Sequence, residues 1–276
     1  MRAWQRFRRH RPALIGAAVI AAYLITALAA DVLAPYDPLD MSAGPRLAIP
    51  DAAHWFGTDE FGRDILSRII WGARVSLQVG LASVFWGFLL GVPLGILAGT
   101  RGGALETAIM RCADMLMAFP TLLLALIIVT ALGGSLVNEI LAIGVALTPN
   151  FVRLARGLAL TIREQDYIMA ARALGGGQLR VMARHVFPNA LYALVVVATL
   201  YIATAIRTEA SLSFLGLGIP PPTPSWGNIL SEGRQYIKCC PWITTFSGLA
   251  IMLAVLAFNL VGDALRDLLD PRLRGE

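Results

Sequence analysis

The chain has 276 residues, of which 57% are hydrophobic and 15% charged, with a formal net charge of +5. Soluble domains carry about 25% charged residues, so this composition excludes an ordinary soluble globule and points to a lipid solvent. A P-loop needs a lysine after its glycine-rich turn, and the single lysine here is Lys238, in YIKCCP (236–241), so the chain cannot hold a Walker-type ATP site.

In chain order, residues 1–11 are an arginine-rich cytosolic tail, followed by the apolar run Pro12–Ala30. This start has the outline of a secretory signal, with Ala27-Leu28-Ala29 as a cleavage site. The run is longer than a signal core and five more follow, so it is read as an uncleaved first span. The other spans are expected at Val75–Ala98, Met115–Leu132, Leu136–Val152, Ala190–Ile206 and Ile243–Val261. About 20 residues cross a bilayer, and lipid leaves no partner for free backbone groups, so each run must be helical. The expectation is one all-α membrane domain of six transmembrane helices over 12–265, ending in a cytosolic tail, 266–276.

The extracytoplasmic segment 31–74 opens as irregular chain, because Pro35, Pro38, Pro45 and Pro50 interrupt it. Its second half predicts a short surface helix, capped by Thr58 or Asp59, with Ile65, Leu66, Ile69 and Ile70 on its apolar face. In the second span Gly87, Gly91, Gly95 and Gly99 recur every four residues, which lays small residues on one face for close intramolecular packing. Pro93 should kink that helix. The outside loop 212–242, with five prolines, predicts a rigid non-helical cap.

With both termini in the cytosol, 16 basic residues fall on inside segments and 6 on outside segments, with Arg207 in a span. That satisfies the positive-inside rule. The basic charge is thus read as topology, and no nucleic-acid partner is expected. The histidines, His10, His54 and His185, lie outside the spans, which argues against a histidine-based proton relay or intramembrane metalloprotease. Cys112, Cys239 and Cys240 imply no disulfide framework and no metal site. Arg111 and Asp114 are one turn apart and predict a pair. Arg153 and Arg156 sit at the inner end of the fourth span, while Arg207, Glu209, Asn138 and Glu139 sit near outer ends.

The segment DYIMAARALGGGQLRVMARHVFP (166–188) lies between two apolar runs yet carries an alanine pair, three glycines, several basic residues and a closing proline. It resembles the cytosolic EAA loop of permease subunits in bacterial ABC importers. With GTDEFGRDILSRIIWGARVSL (57–77), EASLSFLGLGIPPPTPSWGNIL (209–230) and AFNLVGDALRDLLDPR (257–272), the chain looks like the second permease subunit of the dipeptide, oligopeptide and nickel ABC importer family.

That resemblance implies a type I importer-like permease fold of six helices in the bacterial cytoplasmic membrane. It implies a homologous permease partner, two ATP-binding subunits that hold ATP and magnesium, and an extracytoplasmic solute-binding protein. This chain would itself bind no cofactor, and its substrate would be short peptides, with nickel, glutathione, opines or another small solute as alternatives. The loop within 160–188 would dock on the ATPase. Ala170 and Ala171 would allow close approach, Gly175 would turn the chain, Arg180 and Arg184 would meet acidic or carbonyl groups, and Pro188 would start the fifth helix. The family's usual glutamate is replaced by Met169. From another class, an ion-coupled secondary transporter would need buried acids in mid-span, and an intramembrane enzyme would need a nucleophile and base in facing spans.

Overall fold

A computed structural model describes residues 11–269, so the tail arginines Arg2, Arg6, Arg8, Arg9, Arg272 and Arg274 lie outside the described residues. The fold is all-α. Helix α1 (Arg11–Leu28) and the single turn α2 (Ala30–Leu33) lead into an irregular segment, then α3 (Ile65–Arg101). Next come α4 (Gly103–Met117), α5 (Thr121–Leu132) and α6 (Leu136–Arg163). After the short helices α7 (Asp166–Ala173) and α8 (Gln178–Val181), a π turn at Met182–Val186 runs into α9 (Phe187–Phe214). The chain closes with α10 (Trp226–Gly233) and α11 (Trp242–Leu269). Among the described residues, five helical stretches are long and apolar enough to cross a membrane, and a sixth crossing exists if α4 and α5 count as one broken span.

That break corrects the sequence reading of Met115–Leu132 as a continuous helix: α4 and α5 meet at 89°. Pro120 is the cause. It has no N–H to continue the ladder, and it disfavours α geometry at Phe119. Pro120 instead sits at φ −53°, ψ 135°, just before α5.

The expected surface helix before the second span is also corrected. It is the first part of α3, a single helix of 37 residues, capped by Asp64 rather than by Thr58 or Asp59. Asp64 Oδ2 accepts from Ser67 N at 2.8 Å and from Ser67 Oγ at 2.7 Å, while Oδ1 meets His54 Nδ1 at 2.9 Å. Ile65 and Ile69 face the core, not a lipid interface. The helix continues through Pro93 without a break.

The centre of the fold is the packing of α3 on α6. A Cβ built at Gly91 would fall 2.6 Å from Phe151 Cβ and from Thr148 O, and one at Gly99 would fall 2.7 Å from Arg156 O. The glycine stripe therefore removes the side chains that would hold the two backbones apart, as the sequence suggested. Val84, Val92, Ile96, Ile143, Leu147 and Phe151 fill the space alongside. A second apolar cluster, with Ile65, Ile69, Ile206, Trp226, Ile243 and Phe258, joins α1, α9, α10 and α11 to the start of α3.

The loop 212–242 is not the non-helical cap expected. Helix α9 extends to Phe214, and Ser225 caps α10 by accepting from Asn228 N. Trp226 explains why the segment folds back: its side chain is fully buried, its Nε1 donates to Ile69 O at 3.0 Å, and its ring meets Tyr23 edge-on at 5.1 Å.

Candidate functional site

Charged residues divide the described molecule into two polar ends. At the end that holds the 164–188 connection, Arg153 pairs with Asp114 at 2.6 Å and Arg156 with Glu106 at 2.5 Å, binding α6 to α4. The expected Arg111–Asp114 pair does not form, because Asp114 faces across to Arg153 instead of along its own helix. Arg163 Nη1 donates to Gly99 O at 3.0 Å, satisfying a terminal carbonyl of α3.

From this base α7 projects as an exposed helix. It ends in two reverse hydrogen bonds, Gly176 N to Ala171 O at 3.0 Å and Gly175 N to Arg172 O at 2.9 Å. This is a Schellman ending, which requires a left-handed residue after the helix. Gly175 supplies it at φ +83°. A Cβ at Gly176 would lie 2.5 Å from Ala171 O, so the second glycine is needed for the same return.

Three side chains fix the loop to the bundle: Ile168, Val181 and Val186 are buried. The rest faces outward. Leu174 is 89% and Leu179 77% exposed, with Tyr167, Met169 and Phe187 also exposed, and Arg172, Arg180 and Arg184 interspersed. Large exposed apolar side chains interspersed with guanidinium groups have the composition of an interaction surface. Of the residues singled out in the sequence, Ala170, Gly175, Arg180, Arg184 and Pro188 are exposed on this surface and Ala171 is half-buried. Met169, in place of the glutamate, is exposed too.

Pro188 stands at the first turn of α9, as expected, but no gap precedes it: helical backbone runs from Gln178 to Phe214, with the π turn just before the proline. A proline ring clashes with the carbonyl four residues back, and a π turn accommodates that loss within an otherwise continuous helix. This helical link to the bundle was not legible from the glycines, which suggested only a turn of the chain.

The opposite end holds a buried ion cluster that the sequence reading did not assemble. Asp59 Oδ2 meets Arg63 Nε and Arg68 Nη1, each at 2.6 Å, and Glu232 Oε2 meets Arg68 Nη1 at 2.6 Å and Arg63 Nη2 at 3.1 Å. Carboxylate oxygens of Asp59, Glu60 and Glu232 lie within 4.8 Å of one another. Because two guanidinium groups already occupy Asp59 and Glu232, this is an ion-pair core rather than a cation site. Burial pushes the Glu60 carboxyl above its usual range, and neighbouring Glu232 and Asp59 add to the rise.

Nearby, Glu209 is fully buried and accepts from Ser76 Oγ and Ser213 Oγ, each at 3.1 Å. Glu139 is fully buried with both oxygens unpartnered. Arg207 and Glu209, adjacent in the sequence reading, point to different surroundings, the arginine outward and the acid inward. Cys240 donates to Cys239 Sγ at 3.0 Å, and burial pushes its thiol up to about 11, which keeps it protonated at neutral pH.

Comparison with known proteins matches residues 91–275 to the family described as the binding-protein-dependent transport system inner membrane component. Residues 1–50 match the N-terminal TM domain of oligopeptide transport permease C. The chain is 43% identical over 272 residues to a dipeptide transport system permease protein of Alkalihalophilus pseudofirmus, covering 99% of the chain and 90% of the relative. It is 44% identical over 277 residues to a di/tripeptide transport system permease protein of Pseudomonas aeruginosa, covering 98% and 91%. A glutathione transport system permease protein of Escherichia coli O157:H7 is 43% identical over 278 residues, covering 99% and 90%. Among solved structures, an inward-facing form of the MetNI methionine ABC transporter superposes with a TM-score of 0.62 at 22% identity, covering 75% of the chain and 98% of that chain. That likeness carries the fold alone.

Proposed function

The chain belongs to the family of binding-protein-dependent transport system inner membrane components, and on that premise we propose that it forms half of the translocation pathway of an ATP-driven importer of short peptides. The observation that carries the substrate class is the near full-length relationship to dipeptide and di/tripeptide permeases. The equally extensive relationship to a glutathione permease favours glutathione as a second reading.

In this reading the other wall of the pathway comes from a homologous permease subunit. Two ATP-binding subunits, carrying ATP and magnesium, sit beneath the 164–188 surface, and a solute-binding protein delivers cargo at the end that holds the ion cluster. The chain spans the bacterial cytoplasmic membrane with both termini in the cytosol, in keeping with the 16 to 6 charge asymmetry. The loop acts as a lever. Its exposed apolar and arginine side chains seat on the ATPase, and the helical run 178–214, about 55 Å long at 1.5 Å per residue, carries displacement into the bundle.

The test is uptake by the complete transporter in proteoliposomes, with ATP inside and a protonophore present. ATP-dependent accumulation of a dipeptide supports the reading, and preferential accumulation of glutathione selects the second one. Uptake driven by an ion gradient without ATP, in a run that omits the protonophore, would overturn both and assign Glu139 and Glu209 to an ion-coupled carrier.

A further inference from the structure

Arg207 lies in α9 about 10 Å short of the helix end, given a rise of 1.5 Å per residue. It is exposed, while its neighbours Ile206 and Thr208 are buried. No carboxylate among the described residues lies within ion-pair distance of it. Glu209 does not neutralise it, being held inside by Ser76 and Ser213. Arg207 borders a groove of about 600 Å³ shared with Leu122, Phe214, Leu230, Ile251 and Met252.

An arginine facing hydrocarbon costs at least about 2.5–3.5 kcal/mol at the bilayer centre and less toward an interface, so an anion or water beside this position stabilises it. The groove has the make-up of a ligand site: mostly apolar lining, a volume within the usual range of about 300–1,000 Å³, and one charged group to set orientation. A guanidinium binds a carboxylate through two parallel hydrogen bonds, which an ammonium cannot reproduce. Peptides and glutathione share a free C-terminal carboxylate, and in most dipeptides a variable side chain stands beside it.

We propose that Arg207 is a specificity-determining contact in the translocation pathway, where its guanidinium meets the carboxylate of the passing solute and the groove takes the adjoining side chain. This rests on the reading of the chain as half of a peptide importer.

The experiment uses the complete transporter in proteoliposomes with its binding protein and alanylalanine as probe. If the wild-type complex shows no ATP-dependent uptake of alanylalanine or glutathione, the importer reading fails, and this contact with it. If it does transport, Arg207→Gln lowers kcat by about tenfold or more, the loss expected for a charge-assisted hydrogen-bonded contact. KM for the loaded binding protein stays unchanged, since docking occurs elsewhere, and Arg207→Lys, which keeps the charge but not the paired donors, recovers only part of the rate. Unchanged kcat in Arg207→Gln would overturn the proposal and assign the guanidinium to lipid headgroups. Equal losses in both variants, or loss of the second permease on purification of Arg207→Gln, would overturn it in favour of an intersubunit or structural role.

Discussion

Arg68 Nη1 lies 2.6 Å from Glu232 Oε2, although 164 positions separate the two residues. The contact ties the first turn of α3 to α10, and Asp59, fully buried beneath, accepts from both Arg63 and Arg68. Removing one partner from a buried ion pair leaves an uncompensated charge, at a cost of about 3–5 kcal/mol. Asp59→Asn is therefore expected to lower thermal stability of the purified protein strongly. Glu232→Gln should cost less, because the Glu232 side chain is 19% exposed and water can replace it. Unfolding midpoints compared side by side decide the order, and equal effects would mean that Asp59 is not the keystone.

The glycines of α3 offer a second, opposed pair of variants. Gly91→Ala puts a methyl group against Thr148 O and Phe151, and overpacking costs about 1–3 kcal/mol. Gly157, exposed on α6 with nothing near its absent side chain, is the control. Gly157→Ala should be neutral or stabilising by up to about 1 kcal/mol, because alanine loses less freedom in a helix. Membrane abundance and heat resistance should fall for the first variant only.

What was legible in the sequence followed from local spacing. Gly87 to Gly99 announced a close helix contact because a four-residue period maps to one helix face, and the apolar runs announced spans by length alone. The break at Phe119–Pro120 was legible in principle from the proline, but hydropathy averages over it. The α3 start was misplaced because Thr58, Asp59 and Asp64 are all good caps, and only the tertiary contact of Asp64 with His54 selects among them. The Asp59–Arg63–Arg68–Glu232 cluster was out of reach for another reason. It depends on the loop 212–242 folding back, which Trp226 determines by filling a site between α1 and α3. No periodicity records a contact of that separation. Arg207 and Glu209 likewise differ by only two residues, and helical geometry turns them to different sides.

Glu60 gives the fold a pH dependence of known sign. Its folded carboxyl titrates above the ordinary 4.5, chiefly through burial, so the folded state binds a proton more tightly than the unfolded chain does. The associated stability is fully present below about the unfolded pKa and is lost as pH rises through the folded value. Glu60→Gln should consequently stabilise the protein at neutral pH and have little effect at pH 4. A denaturation series from pH 4 to 8 on both proteins checks this; a gap that widens toward low pH would reverse the assignment.

Gly175 is the sharpest test of the docking surface. Its φ of +83° is a conformation that L side chains rarely adopt, at a cost of roughly 1–2 kcal/mol, yet nothing lies within 4 Å of where a Cβ would sit. A leucine there leaves the spans and the buried anchors Ile168, Val181 and Val186 untouched. It strains the α7 ending and adds bulk to the exposed face. Gly175→Leu is thus expected to reach the membrane at near-normal abundance while uptake falls and ATPase subunits copurify poorly. Ala171→Glu should act similarly, since it places a charge on a half-buried position next to Gly176, whose N–H donates to Ala171 O. Whole-cell uptake, membrane abundance and ATPase copurification are measured on the same strains. Normal transport with retained partners in both variants would reduce the segment to a connector between α6 and α9. Loss of abundance in Gly175→Leu alone would point to the Schellman turn as a folding element, and Ala171→Glu would then carry the decision on docking.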